Sequence, residues 1–287
     1  MTDIDALWNF EDPAATEAAF RALLPEAERE GGASRLELLT QLARTQSLQR
    51  KFPEAHALLD QVQSQLAPDM TRPRIRCLLE RGRTFNSAGQ QERARPEFLE
   101  AWRLALEAGE DWLAVDAAHM LAIAESGDAS LSWNEKAMAH AERSSDPRAR
   151  KWLGSLHNNI GWTYHDLGRY DEALEQFQAA LACREAQGQI GAIRIARWCV
   201  ARCLRSLGRT AEALEIQRAL LAEFEGEGSV DGYVFEELGE CLLELRRRDE
   251  ARPFFARAHV ELSKLADRDG IAAERLQRLW ALGTPDA

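Results

Sequence analysis

The chain has 287 residues, 45% of them hydrophobic and 29% charged, a composition that excludes wholesale disorder and fibrous or mucin-like architectures. Acidic residues outnumber basic ones 47 to 36, a net charge of −11, which argues against nucleic acid as a main ligand because phosphate backbones demand a basic excess. No apolar run reaches the roughly 18 residues a bilayer crossing needs, and five scattered cysteines point to free thiols in a reducing cytoplasm, not to a disulfide framework.

The N-terminus, MTDIDALWNFEDP, is acidic and has no basic segment followed by an apolar core, so no export signal is expected. Residues 13–30 read as a helix with Asp12 as N-cap, Pro13 at its first position and a kink at Pro25. Residues 1–32 are therefore expected to form an N-terminal extension and cap.

From residue 33 a period takes over. Small residues recur at Ala43, Gly82, Ala122, Gly161, Ala201 and Gly239, spaced by 39, 40, 39, 40 and 38 residues. Twelve residues beyond five of these anchors stands another Ala: Ala55, Ala94, Ala173, Ala213 and Ala251. Four places further on lie Leu59, Phe98, Phe177 and Phe255, with Gln217 as the exception. Within each period the pattern is helical. Leu156, Ile160, Thr163, Tyr164 and Leu167 form one stripe, Gly168 breaks it, and Ala173, Phe177, Ala180 and Leu181 form the next. The short connection makes the two helices antiparallel neighbours. One such pair cannot bury its apolar faces alone, so successive pairs must stack. The expected fold is all-α: a right-handed α-solenoid of stacked antiparallel helix pairs, six of them over residues 33–266.

Two departures stand out. The third repeat has a shortened connection at 124–128 and Asn134 where Ala is expected, which predicts a displaced second helix near 130–143. Arg81 takes a normally apolar phase in the second repeat. Residues 267–287 should supply a C-terminal capping helix and tail, with Leu276, Leu279 and Trp280 turned inward.

The chain resembles a tetratricopeptide repeat protein. In the fourth repeat Gly161, Tyr164, Gly168, Tyr170, Ala173, Phe177 and Ala180 take the positions that family fills with Gly, aromatic, Gly, Tyr, Ala, Phe and Ala. The Asn-Asn-Ile-Gly run at 158–161 and the period near 40 look like the long-repeat type, which includes kinesin light chains and bacterial peptide-sensing regulators. The resemblance implies binding of proteins or peptides by an adaptor or scaffold.

In a helical solenoid the first helix of each pair lines the concave surface. By phase, that strip includes Arg76, Arg83 and Asn86, then His119, then Asn158, Asn159, Trp162 and His165, then Trp198, Arg202 and Arg205, and finally Tyr233 and Glu240. Carboxamides can take a peptide N–H and C=O. Indoles bury large apolar area at low entropic cost, and guanidinium forks bind carboxylates bidentately. These residues are the candidate groove for an extended peptide or protein tail, with its acidic segment or C-terminal carboxylate facing Arg83, Arg202 and Arg205. Each has a structural alternative: an indole can pack against the next helix pair, and an arginine can be paired with Glu. No nucleic-acid or membrane partner is expected, and no cofactor. Cys199 and Cys203 lack the further ligands a structural zinc needs, His165 and Asp166 diverge on their helix, and no catalytic motif is present, so an enzyme is the weakest reading. A self-assembling homo-oligomer remains the structural alternative to an adaptor.

Overall fold

The computed structural model describes residues 4–284, less the side chains of 267–269. A 3-10 turn (Ile4–Leu7) leads into α1 (Pro13–Glu30), α2 (Gly32–Leu48), α3 (Phe52–Gln65), α4 (Thr71–Ser87), α5 (Gln91–Ala108), α6 (Asp111–Ala124), α7 (Gly127–Arg143) and the short α8 (Pro147–Arg150). There follow α9 (Leu153–Asp166), α10 (Tyr170–Gln187), α11 (Ile190–Ser206), α12 (Thr210–Gly226), α13 (Gly232–Glu244), α14 (Arg248–Asp269) and α15 (Ala273–Gly283). No strand occurs among the described residues, and no described helix is long and apolar enough to cross a membrane. The chain forms two compact units, one ending at Leu156 and one starting at His157. In the first, α1 packs on α2, and α2/α3, α4/α5 and α6/α7 are the helix pairs. In the second, α10 packs on the His157–Asp166 part of α9, α11/α12 and α13/α14 follow, and α15 covers α14.

The pairs hold together through one size match. Gly161 sits so close to Phe177 that a methyl group on it would lie 2.7 Å from the ring, and one on Gly239 would lie 2.8 Å from Phe255. Gly82 stands in the same relation to Phe98. All three rings are fully buried. Where the anchor is Ala, the residue sixteen places on is never aromatic: Leu59 follows Ala43, Met138 follows Ala122 and Gln217 follows Ala201. The anchor's methyl takes the space that a ring would fill.

Gln217 fits its space badly in chemical terms. It is fully buried, and neither carboxamide atom has a hydrogen-bond partner. In the third repeat the second helix is rotated. Ser130, Asn134, Ala137 and Ala141 are its buried stripe, and Met138 is only partly buried. Asn134 is 1% exposed with its Oδ1 unpartnered. The expected irregularity of this repeat is thus a helix that starts at Gly127 and turns Ala137, not Met138, into the core.

The corner joining the helices of a pair is equally repetitive. The same backbone bond closes it in five repeats: Lys51 N–H to Gln46 C=O, Gln90 to Phe85, Arg169 to Tyr164, Arg209 to Leu204, and Arg247 to Leu242, at 2.8–2.9 Å. Gly89, Gly168 and Gly208 hold the left-handed corner at φ 74°, 73° and 75°. Arg50 and Arg246 hold it at φ 60° with a Cβ present, a conformation costly for a non-glycine residue.

At the termini one expected orientation is corrected. Asp12 Oδ1 accepts from Ala15 N–H at 2.9 Å and caps α1. Arg81, at its unusual phase, donates to Asp60 at 2.8 Å and to Gln63 at 3.1 Å. At the other end Leu279 is fully buried and Leu276 partly so, but Trp280, expected to face inward, is 57% exposed. Gly283 comes within 2.6 Å (from an added Cβ) of the Ala256 backbone. That close approach turns the Leu279–Gly283 face onto α14 and leaves Trp280, one residue round the helix, outside. Expected residues 1–3 and 285–287 of the two caps lie outside the described residues.

Two substitutions of opposite sign test the size match. Gly161→Ala would gain about 1 kcal/mol in an exposed helix, but here it should destabilise by about 1–3 kcal/mol through overpacking against Phe177. Gln217→Leu keeps the volume and removes two unsatisfied polar atoms, so it should stabilise by about 1–3 kcal/mol. Urea unfolding of the full chain reads both.

Candidate functional site

In the first unit the first helices of successive pairs touch one another, α2 against α4 and α4 against α6. This layer carries polar residues at helical spacing: Glu37, Gln41 and Arg44 on α2, Arg76, Glu80 and Arg83 on α4, Trp112, Asp116 and His119 on α6. Residues three and four apart share a helix face, so the three rows meet.

They meet as a charge network. Arg83 donates to Glu80 at 2.6 Å and to Asp116. Gln41 donates to Glu80 at 3.4 Å, and Arg44 lies 3.8 Å from the same carboxylate. Glu80 is 3% exposed, so its charge depends on these partners. Arg76 makes a two-pronged pair with Asp5, at 3.1 and 2.6 Å. Its Nε stands 3.2 Å from Glu37, and its guanidinium lies 4.8 Å from the centre of the Trp112 ring. Burial would raise the Asp116 carboxyl, but the Arg83 guanidinium overcomes this and holds it below the usual range. His119 packs against Trp152 with the rings tilted by 56° and their centroids 4.9 Å apart, and burial pushes its pKa down to about 4. Asn86 is partly buried in the last turn of α4, where its carbonyl accepts from Gly89 N–H at 3.0 Å.

The second unit's first helices carry a row of rings. Trp162 on α9, Trp198 on α11 and Tyr233 on α13 are each partly buried, with centroids 6.1 and 6.3 Å apart in sequence. The Trp198 indole donates to the Tyr233 carbonyl at 3.2 Å. Trp162 sets its edge against Phe177 and His165, each at 5.1 Å. Asn158 Oδ1 accepts from the Cys199 thiol at 3.3 Å, and the Asn159 carbonyl accepts from Thr163 at 3.0 Å.

Charges flank the row. His165 Nε2 is 2.9 Å from Ser206 Oγ, and burial, then the nearby Arg202, depress its pKa. Arg202 donates to Ser206 at 2.6 Å and lies 3.3 Å from Glu237. Arg205 grips Glu237 at 2.9 and 3.0 Å and Glu244 at 2.6 Å. Glu240 accepts from Arg278, and Glu236 from Arg275 at 2.9 Å.

The predicted residues thus fall into two groups, one on each unit. The structure adds partners that phase alone did not supply. Arg83, Arg202 and Arg205, read as cations facing a partner's carboxylate, already lie against carboxylates of this chain, as does the groove residue Arg76. Asp5, Gln41, Arg44 and Glu80 went unread. A signal for some of them existed, since Gln41 and Arg44 precede Glu80 and Arg83 by 39 residues, one period. Likewise Arg275 lies one period beyond Glu236. The Asp5 contact with Arg76 had no such signal.

Among the described residues no three His, Cys, Asp or Glu side chains gather as metal ligands would. Burial pushes the Cys199 and Cys241 thiols up to about 12 and Cys203 up to about 11, far from the thiolate a nucleophile needs. His165 Nδ1 is 4.0 Å from Asp166, whose side chain is 81% exposed.

His119 makes the first unit acid-sensitive. The unfolded chain takes up this proton as pH falls past 6.5, the folded chain only near 4. Stability contributed by the neutral ring should therefore be lost progressively between those values, by about 2–3 kcal/mol in total. His119→Gln should flatten that part of a stability profile measured by urea unfolding from pH 7 to pH 4.

Similarity to known proteins agrees with this architecture. Residues 110–186 match the model of the tetratricopeptide repeat family. Outer dynein arm-docking complex subunit 4 of Danio rerio is 28% identical over 135 residues, covering 47% of this chain and 26% of that protein. The matched stretch is thus about a quarter of that relative's length. Among solved structures, the apo form of RapI superposes with a TM-score of 0.68 at 12% identity, covering 91% of this chain and 77% of its own. NprR in complex with its cognate peptide NprX gives 0.56 at 15% identity, covering 97% and 81%. A tetratricopeptide repeat protein from Parabacteroides merdae gives 0.54 at 18% identity, covering 95% and 93%. Residues 110–186 thus match the tetratricopeptide repeat model, and the stacked antiparallel helix pairs share the fold of solved tetratricopeptide repeat structures.

Proposed function

We propose that the chain is a peptide-binding scaffold or adaptor of the cytoplasm, without chemistry of its own, and that the ring row of the second unit is its capture surface. The observation that carries this is the spacing of Trp162, Trp198 and Tyr233 at 6.1 and 6.3 Å on three successive first helices. Alternate residues of an extended chain lie roughly 6.6–6.8 Å apart. A peptide crossing the helices can therefore set alternate side chains on successive rings. Partly buried indoles offer large area at low entropic cost, and Asn158 and Asn159 stand beside Trp162 to take backbone groups.

An acidic side chain or terminal carboxylate on the partner would meet Arg202 first. Its side chain is 26% exposed against 13% for Arg205, and it shares Glu237 with that residue instead of gripping it with two prongs. The fold has a precedent for the role in NprR, solved with its cognate peptide NprX.

A display library of short random peptides, panned on the full-length protein, tests the reading. Enriched peptides should bind wild type and lose at least tenfold in affinity (about 1.4 kcal/mol) on Trp162→Ala or Trp198→Ala. Arg202→Glu should reject the acidic ones selectively. Arg205→Glu is unsuitable, because it would set a carboxylate against Glu237 and Glu244 and unsettle the fold. No enrichment, or binding indifferent to both tryptophans, would overturn the proposal.

A further inference from the structure

The first unit's inner layer is not bare. Residues 4–10, ahead of α1, lie across α2 and α4. Asp5 binds Arg76 with both carboxylate oxygens. Three residues on, the Trp8 indole N–H donates to Gln41 Oε1 at 3.0 Å. Arg44 lies 5.1 Å from the Trp8 ring and 5.2 Å from Phe10, which stacks on Trp8 at 4.9 Å.

The receiving groups are built in. The Arg76 side chain is 6% exposed and Gln41 is 1% exposed. Gln41 passes the contact on by donating to Glu80, which Arg83 also holds. Lifting the segment away would cost Arg76 its two-pronged carboxylate, leaving it with Glu37 and the Trp112 ring, and would strip Gln41 Oε1 of the Trp8 donor. Unpaired buried groups of this kind are expensive. Whatever replaces the segment must bring the same two chemistries at the same separation.

Trp8 also meets the buried Phe20 ring edge-on at 5.3 Å and the Asn9 backbone exchanges hydrogen bonds with the Thr16 hydroxyl, but other side chains of the segment face solvent. Phe10 is 57% exposed and Leu7 is 40% exposed. Beside Asp5 a cleft of roughly 100 Å³ remains open, lined by Leu23 and Leu38 and by charges of both signs, Arg72 and Arg148 among the cations and Glu26, Glu30 and Glu37 among the anions. It offers apolar and charged contacts beyond those the resident segment makes.

We propose that this face is a recognition site for a peptide carrying a carboxylate followed three residues later by tryptophan, and that the chain's own Asp5 and Trp8 occupy it as a resident ligand. A competing peptide of that pattern displaces residues 4–10 and exposes the face. The tether gives the resident segment a high effective concentration, so only a peptide with added contacts, such as those of the adjoining cleft, competes well.

The test uses full-length protein and a fluorescein-labelled peptide of residues 2–12 as probe. The Asp5→Ala/Trp8→Ala protein should bind it at least tenfold more tightly than wild type by anisotropy, since its own segment no longer competes. Adding Arg76→Gln should cost at least tenfold, and Trp162→Ala, on the other unit, should change nothing. Equal binding by wild type and the double variant, or no loss with Arg76→Gln, overturns the proposal. If circular dichroism shows the double variant unfolded, wild type decides: excess unlabelled peptide should speed amide exchange in residues 4–10, a peptide with both key residues replaced by Ala should not, and unchanged exchange with the intact peptide overturns it.

Discussion

The architecture depends on how closely two helices of a pair can approach. At Gly82, Gly161 and Gly239 the absent side chain lets a phenylalanine ring sit against backbone, and the ring is then wholly enclosed. Dispersion and burial both grow with such contact, while a single added methyl would collide. Gly anchors with a ring alternate with Ala anchors that have no aromatic residue sixteen places on, and at Ala122 the second helix turns Ala137 into the core instead of Met138. Because the second helix is fixed this closely, the first helix has its remaining faces set as well: one toward the neighbouring pair and one toward the inner layer.

That inner layer then has to be polar and still satisfied. In the first unit it is solved by mutual charge pairing across α2, α4 and α6, with Glu80 and Asp116 shared among Arg44 and Arg83. In the second unit rings occupy the middle and ion pairs the edge, where Glu237 is shared by Arg202 and Arg205. A chain with 36 basic residues, of which only four are Lys, is suited to this, since one guanidinium can reach two carboxylates in a plane. The same pairing decides which cations remain available. Arg202 is partly open, whereas Arg76 and Arg205 are held on two prongs.

Much of this was legible in one dimension. The period near 39 announced stacked helix pairs, Asp12 announced the start of α1, and Gly168 marked a corner that proved left-handed. Local signals of this kind survive because they are short-range: a cap, a turn glycine or a stripe acts on its own helix. Trp280 shows the limit, since two adjacent residues of an amphipathic helix both read as apolar and only the contact at Gly283 selects which one faces in. Asn134 shows another: a polar residue at a core phase signals trouble, but not whether the helix shifts, bends or rotates.

For the inner faces, phase correctly brought Arg76, Arg83, Trp162, Trp198 and Arg205 to first helices, yet it could not assign their partners. An arginine has the same sequence signature whether it is solvated or clamped by a carboxylate two elements away. Composition, periodicity and the Gly–Phe alternation, all set by contacts within one helix pair, were decided by the sequence alone. The seating of Asp5 on Arg76, the sharing of Glu237 and the outward turn of Trp280 were decided only when distant segments met, because those energies come from desolvated pairs and close approaches that do not exist until the chain has closed around them.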